Sequence, residues 1–140
     1  MSALTLPATL DALEDIGQFV KETAVSGGLD TGAAYRLRLA VDEMATNIVS
    51  YGGVAEIVIA ATVTARDVTV TLVDNGVAFD PRRQALPSEA ALAAPLEERD
   101  IGGLGIFLAL TGVDRYDYAR EGETNRNVFT MRKAPAAPPT

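Results

Sequence analysis

The hydrophobic residues of this chain change from a helical to an alternating period near residue 55, and this order restricts the fold more than any other feature. Before that point, apolar residues recur every three or four positions in two segments, which predicts two helices. The first runs from a Thr9 cap to about Ala24, with a stripe of Leu10, Leu13, Ile16 and Val20. The second begins at Asp30 or Thr31 and ends before Gly52, with a stripe of Leu37, Val41, Met44 and Ile48.

Beyond residue 55, apolar and polar residues alternate, which predicts two β-hairpins. The first joins strands over Ala55–Ala65 and Val68–Val73 through Arg66-Asp67. The residues expected on the inward faces of these strands are Ile57, Ile59 and Val63, followed by Val68, Val70 and Leu72. The second hairpin pairs Arg115–Ala119 with Asn125–Arg132 around the segment Glu121-Gly122-Glu123-Thr124.

Three further segments complete the predicted order of elements. Leu4 and Leu6 form a short first strand that Pro7 ends. The segment from Asn75 to Gly102 contains Pro81, Pro87 and Pro95 and is expected to be a mobile surface loop. A loop of this length in a small domain usually has a function. Ile106–Val113 then forms a helix that is entered through glycines.

The resulting order is strand, two helices, hairpin, long loop, helix and hairpin. It predicts an α/β (α+β) sandwich, in which a mixed, mostly antiparallel sheet carries helices packed on one face. A Rossmann arrangement is excluded because the glycine-rich turn comes late instead of following the first strand. Residues 1–133 are expected to form one domain, and the Pro/Ala-rich residues 134–140 a disordered tail.

The composition excludes several classes of function. The 140 residues carry a formal net charge of −7, which argues against binding to nucleic acid or to an anionic membrane but leaves a protein partner open. The chain has no cysteine and no histidine. Disulfides, the common zinc sites, Ser-His-Asp catalysis and a phosphohistidine are therefore excluded. Met1–Pro7 does not have the character of a signal peptide, and Ile101–Val113 is too short to span a bilayer, so a cytoplasmic protein is expected.

Glu43 and Asn47 lie four residues apart and therefore share one face of the second predicted helix. On a helical wheel this face lies roughly 100° from the apolar stripe. The two side chains therefore flank the buried seam, where a carboxylate and an amide can line a pocket. Taken alone, the pair also fits an ordinary polar helix flank.

Two glycine-containing motifs follow. Asp74-Asn75-Gly76, with Phe79-Asp80-Pro81 just after it, follows an alternating strand. By itself this is a turn signal, but Asp74 can also accept a hydrogen bond from an exocyclic amine while Gly76 allows close approach to a flat ring. Gly102-Gly103-Leu104-Gly105 precedes the last predicted helix, where backbone N–H groups favour phosphate. It is not a Walker A motif, and alone it also fits a flexible loop that caps a helix.

In this order and spacing, the three motifs resemble the N, G1 and G2 boxes of the GHKL (Bergerat-fold, HATPase_c) ATPases. The matching residues are Glu43-x-x-x-Asn47, Asp74-x-Gly76-x-x-Phe79-Asp80-Pro81 and Gly102-Gly103-Leu104-Gly105-Ile106. The resemblance covers nearly the whole chain. Within the superfamily, the Phe-Asp-Pro extension and the small size are similar to the stand-alone anti-sigma-factor serine kinases of the RsbW type.

The resemblance implies roles for the matching positions. Glu43 resembles the general base, and Asn47 the Mg²⁺ ligand beside ATP. Asp74 resembles the residue that reads the adenine amino group, with Gly76 and Phe79 in the same nucleotide site. Gly102, Gly103, Leu104 and Gly105 would surround the phosphates. Three arginines, each also explained as a solvated charge, are candidates for phosphate contact: Arg82, Arg83 and Arg99. Many relatives have histidine where this chain has Tyr51, and Thr124-Asn125 and Val128 resemble the family's terminal strand only weakly.

The resemblance further implies an ATP-dependent serine/threonine-protein kinase that phosphorylates a STAS-type anti-anti-sigma protein and sequesters a sigma factor. A homodimer is also consistent with the family. Two alternatives remain open at this point. One is a nucleotide-dependent binding module without transfer activity, against which the retention of Glu43 argues. The other is a signalling kinase of the same fold that has no sigma-factor partner.

Overall fold

A computed structural model of the protein describes residues 2–81, 106 and 109–134. The elements in chain order are β1 (Ser2–Pro7), α1 (Leu10–Ser26), α2 (Thr31–Tyr51), β2 (Glu56–Val63), β3 (Asp67–Asp74), β4 (Arg115–Glu121) and β5 (Thr124–Arg132). Ile106, Ala109 and Leu110 are also helical, and a turn follows at Thr111 and Gly112. Among the described residues, no helix is long and apolar enough to cross a bilayer.

The five strands form one sheet in the order β1-β2-β3-β5-β4, and its four strand pairs are all antiparallel. β5 lies between β3 and β4, so the last hairpin adds to the sheet through its second strand. In the β3–β5 register, Asp74 lies opposite Asn125 and Leu72 lies opposite Asn127. The carboxyl end of β3 is therefore beside the beginning of β5.

α1 and α2 pack together on one face of the sheet, as the alternating sequence predicts. The inward residues Ile57, Ile59, Val68, Val70 and Leu72 are fully buried in a cluster with the α2 stripe Leu37, Val41, Met44 and Ile48. Both helix starts are capped as expected. Thr9 Oγ1 accepts a hydrogen bond from the Ala12 amide at 3.3 Å, and Asp30 Oδ1 accepts one from the Ala33 amide at 2.8 Å. The predicted fold class is confirmed.

Several local predictions are wrong in detail. Leu10 is 70% exposed, because the buried face of α1 follows a four-residue series through Ala12, Ile16, Val20 and Ala24. Val63 is 46% exposed at the last position of β2. The second hairpin is tighter than expected, because its strands extend to Glu121 and from Thr124 and leave only Gly122-Glu123 as the turn.

Other predictions fall on the part of the chain that the structure does not describe. Residues 82–102 of the expected mobile loop Asn75–Gly102 and residues 135–140 of the expected tail 134–140 lie outside the described residues. The final predicted helix is helical at its described positions as far as Leu110 but does not reach Val113.

The contrast between a core leucine and an exposed one gives a test of this packing. Leu37→Ala removes a side chain with 0% exposure and is expected to lower the free energy of unfolding by about 2–5 kcal/mol. Leu10→Ala is the matched control on α1 and should change it by about 0.5 kcal/mol or less. Urea unfolding followed by circular dichroism measures both. Equal losses in the two variants would contradict the assigned core.

Candidate functional site

A cavity of about 370 Å³ lies where the second half of α2 faces the ends of β3 and β5. α2 contributes Met44, Asn47, Ile48 and Tyr51 to its lining, and the segment after β3 contributes Val77, Ala78 and Phe79. The strands contribute Asp74, Asn125 and Asn127. The cavity therefore has mostly apolar walls, to which α2 adds the Asn47 amide, and a polar base formed by the carboxylate and two amides of the strands.

A close backbone contact brings α2 and the end of β3 together. The Gly52 carbonyl, at the C-terminal end of α2, accepts a hydrogen bond from the Val77 amide at 3.2 Å. A Cβ atom on Gly76 would lie 2.5 Å from that same carbonyl oxygen, which is far inside van der Waals contact. Position 76 therefore requires glycine because the end of α2 and the turn after β3 come into close contact there, whether or not a ligand is bound.

The two carboxylate oxygens of Asp74 differ in their hydrogen bonding: Oδ1 has donors and Oδ2 has none among the described residues. Its side chain is only 4% exposed. Oδ1 accepts hydrogen bonds from the Gly76 amide at 2.8 Å and from Asn125 Nδ2 at 3.1 Å. Oδ2 is buried and has no donor among the described residues. A buried acceptor without a donor costs free energy, so this oxygen favours a ligand that brings an N–H group into the cavity.

Asn125 is the centre of the hydrogen-bond network that holds Asp74. Besides Asp74, its Nδ2 lies 3.2 Å from the Gly76 carbonyl and 3.0 Å from the Val77 carbonyl. Its Oδ1 accepts from the Tyr118 hydroxyl at 2.5 Å and from Arg120 Nη1 at 3.0 Å. Arg120 Nη1 also donates to the Gly76 carbonyl at 2.7 Å. The β4–β5 hairpin thus fixes the turn that carries Asp74.

Asn127 is the second buried amide at the cavity base, with 2% exposure. Its Oδ1 accepts a hydrogen bond from the Tyr116 hydroxyl at 2.5 Å. Sequence reasoning missed this residue and gave Asn125 only as part of a weak motif. The signal was present, because alternation along β5 places both asparagines on the same inward face as Phe129 and Met131, where polar residues are unusual.

Asn47 and Glu43 are both half-buried, one helical turn apart. Asn47 lines the cavity, whereas Glu43 is not part of its lining and accepts no hydrogen bond from the described residues. The adjacent Asp42 faces α1 and forms an ion pair with Arg38 at 3.5 Å, next to Gly17. Burial raises the pKa of Asp42, the Arg38 charge opposes this effect, and the Glu43 charge adds to it. The structure therefore separates the two neighbouring carboxylates, one toward α1 and one toward the side of Asn47.

The remaining predicted site residues divide into two groups. Phe79 lines the cavity and packs against the core, and Tyr51 lies at its mouth with 74% exposure. Gly102, Gly103, Leu104 and Gly105 lie outside the described residues, as do Arg82, Arg83 and Arg99. The structure thus brings Asn47, Asp74 and Phe79 together around one cavity. Gly76 does not line the cavity but lies in the turn directly after Asp74, and Glu43 is one helical turn before Asn47.

The described residues fit an adenine nucleotide and its metal ion. Adenine has flat aromatic faces that pack on apolar side chains and an exocyclic amine at its edge, and the cavity offers apolar side chains with one unpartnered carboxylate oxygen. The described residues include no group of three or more acidic, histidine or cysteine ligands. A magnesium ion that takes its other ligands from phosphate and water needs few protein oxygens, and the Asn47 amide is a suitable donor.

The comparisons with known proteins agree with this architecture. Residues 6–133 match the model of the histidine kinase-like ATPase domain, so the chain belongs to that family of ATP-binding domains. The serine/threonine-protein kinase BtrW of Bordetella bronchiseptica is 29% identical over 136 residues, which cover 94% of each chain.

Two solved structures share the fold. The structure of the RsbU and RsbW domains of Rv1364c from Mycobacterium tuberculosis matches all of this chain with a TM-score of 0.62 at 15% identity. This chain spans 35% of that one. The catalytic domain of the histidine kinase ThkA matches with a TM-score of 0.52 at 11% identity, covering 96% of this chain and 100% of the other.

The contact at Gly76 gives a test of the site architecture. Gly76→Ala would place a methyl group 2.5 Å from the Gly52 carbonyl oxygen and 2.9 Å from Asp74 Oδ1. We expect it to lower the free energy of unfolding by about 1–3 kcal/mol and to weaken ATP binding, because the turn must move. Urea unfolding and ATP titration measure the two effects.

Gly32→Ala is the matched control, since a Cβ there meets the flexible end of Arg36 at 3.3 Å and Asp30 Oδ1 at 3.5 Å, an ordinary van der Waals contact. On α2 this change should raise stability by up to about 1 kcal/mol. A Gly76→Ala protein as stable as the wild type would contradict the assigned contact.

Proposed function

We propose that this protein is an ATP-dependent serine/threonine-protein kinase. The observation that carries the proposal is the buried, unpartnered Oδ2 of Asp74 in a cavity that Asn47 also lines. This pair provides an acceptor for a base amine and an oxygen for a metal ion in one site. The family assignment and the similarity to BtrW, named as a serine/threonine-protein kinase, support the same activity.

Binding of the nucleotide is divided among three groups of residues in this proposal. Asp74 accepts a hydrogen bond from the adenine amine, and Phe79 and the Gly76 turn contact the ring. Asn47 ligates Mg²⁺, which neutralises phosphate charge when it is bound. Backbone groups of Gly102, Gly103, Leu104 and Gly105 bind the phosphates, as helix-entering glycine loops do.

Glu43 is the proposed general base. It lies one turn before Asn47 on α2 and has no internal hydrogen-bond donor among the described residues, so its carboxylate can accept a proton from a protein substrate. A serine hydroxyl that attacks the γ-phosphorus forms a new O–P bond, the bond to the β,γ-bridging oxygen breaks, and Glu43 takes the hydroxyl proton. ADP leaves with the bridging oxygen. Such transfer depends mainly on positioning and electrostatics, so the lack of histidine is no obstacle.

The proposed substrate is a small STAS-type anti-anti-sigma protein, and the proposed second partner is a sigma factor. The two would compete for this domain, so that phosphorylation of the antagonist frees the kinase to hold sigma. This part of the proposal rests on the resemblance to RsbW-type kinases alone.

Phosphoryl transfer is tested by incubating the protein with MgATP and candidate STAS-type proteins and locating phosphoserine by mass spectrometry. Phosphoserine that depends on Glu43 supports the kinase. Tight ATP binding without transfer to any candidate supports the binding module instead. Affinity capture from the native cell separates a sigma-factor regulator from a kinase of another signalling pathway.

Removal of the proposed base should separate binding from chemistry. Glu43→Ala is expected to bind ATP as the wild type does while transferring phosphate about 10²–10⁴-fold more slowly, because only proton acceptance is lost. Single-turnover transfer and ATP titration measure the two properties. Glu14→Ala, which removes an exposed carboxylate on α1, is the control and should leave both unchanged. A wild-type transfer rate in Glu43→Ala would remove its assigned role.

Loss of the proposed metal ligand should change the magnesium dependence of binding. Wild-type protein is expected to bind ATP more tightly with Mg²⁺ than with a chelator, and Asn47→Ala should lose that difference along with transfer. Titrations with and without Mg²⁺ measure this without relying on activity. Ser50→Ala, an exposed polar change on the same helix, is the control. An undiminished magnesium effect in Asn47→Ala would rule out this residue as a ligand.

A further inference from the structure

The base of the cavity contains a second polar atom that the proposed roles do not use. The amide of Asn127 is almost fully buried, and its oxygen is engaged by the Tyr116 hydroxyl. Its nitrogen has no acceptor among the described residues, although the residue lines the cavity. The amide of Asn125, two residues earlier, differs in that its nitrogen is fully used by Asp74 and two carbonyls.

The sheet register places this donor near the unpartnered oxygen of Asp74. Asp74 pairs with Asn125, and Asn127 is the next residue of β5 on the same face. Residues related in this diagonal way across two antiparallel strands have Cβ atoms within about 8 Å of each other. Both side chains also line the cavity, so one bound base can contact both. The register therefore places an acceptor and a donor on neighbouring positions of two paired strands that line the cavity.

We propose that Asn127 is a specificity-determining residue, whose amide nitrogen donates a hydrogen bond to a ring nitrogen beside the exocyclic amine of adenine. Asp74 Oδ2 and Asn127 Nδ2 together then read a neighbouring donor and acceptor on the base edge. Tyr116 is a positioning residue, because its hydroxyl holds the amide oxygen and so directs the nitrogen to the cavity. This inference rests on the proposed binding of ATP and adds the basis of its base selectivity.

The chemistry of the purine bases explains what such a pair selects. Adenine carries an amine donor flanked by two ring-nitrogen acceptors, N1 and N7. Guanine and hypoxanthine carry a carbonyl oxygen at the position of the amine, so Asp74 Oδ2 would face another acceptor. A buried hydrogen-bonding group that lacks a partner, or that faces a second acceptor, weakens binding far more than the loss of an apolar contact does. The site should therefore reject the 6-oxopurine nucleotides.

ATP analogues that lack one atom each can separate the two contacts. Purine riboside triphosphate lacks the amine and reports on Asp74. 1-deaza-ATP and 7-deaza-ATP each lack one ring nitrogen and report on Asn127. We expect the wild type to bind one of the two deaza analogues about tenfold more weakly than ATP and the other with nearly the affinity for ATP. The weaker analogue identifies the ring nitrogen that Asn127 contacts.

Asn127→Leu, which is close to isosteric, should abolish that discrimination. The variant should bind ATP about tenfold more weakly than the wild type does, and no more tightly than it binds the affected deaza analogue. It should still bind purine riboside triphosphate more weakly than ATP, because Asp74 is intact. Arg126→Ala changes the exposed neighbour on the other face of β5 and should keep every wild-type ratio. Calorimetric or competition titrations at one Mg²⁺ concentration give all four affinities.

Tyr116→Phe provides a variant that keeps the ring contact with Phe129, whose centroid lies 5.2 Å away. Without the hydroxyl, the Asn127 amide can rotate. The preference for ATP over the affected deaza analogue should therefore fall, while the preference for ATP over purine riboside triphosphate should stay. The inference is overturned if Asn127→Leu and Tyr116→Phe keep the wild-type deaza ratio, or if the wild type binds both deaza analogues as tightly as ATP. If the wild type binds no adenine nucleotide, the proposed kinase function fails as well.

Discussion

The contact between the Gly52 carbonyl and the Gly76-Val77 turn is the constraint on which the rest of the site depends. It joins the C-terminal end of α2 to the carboxyl end of β3, and it leaves no space for a side chain on residue 76. Because α2 and β3 meet there, Asn47 on the polar flank of the helix and Asp74 at the end of the strand face the same cavity. A single missing Cβ atom thus allows two motifs about thirty residues apart to form one cavity.

The position of β5 inside the sheet supplies the other half of the site. A hairpin added to β3 through β4 would put a different set of side chains beside Asp74. The observed order puts the inward-facing Asn125 and Asn127 there instead. Two asparagines and an aspartate at core positions would destabilise a sheet if they lacked partners. Tyr116, Tyr118, Arg120 and backbone groups satisfy most of these atoms, so the network is rigid and only the atoms that face the cavity remain for a ligand.

Much of this arrangement could be predicted from local patterns. The period of the apolar residues gave both helices and both hairpins, and the four-residue spacing of Glu43 and Asn47 placed them on one helix flank. The side-chain network could not be predicted, because it depends on which strand of the second hairpin lies beside β3. Local patterns predict only the pairing within each hairpin. The predicted core position of Leu10 is wrong for a different reason. A stripe drawn from large residues includes Leu10 and overlooks the small Ala12 and Ala24, which are buried on this helix face.

The two carboxylates at positions 42 and 43 show how α2 can serve both the fold and the proposed chemistry. Asp42 turns to α1 and is held by Arg38, and burial raises its pKa. Glu43, one residue later, points about 100° away around the helix, toward the side of Asn47. A base that had an internal cation as a partner would lose much of its affinity for a proton. The proposed role of Glu43 therefore favours an arrangement in which Arg38 pairs with Asp42 on the α1 side of the helix, and this is the ion pair observed.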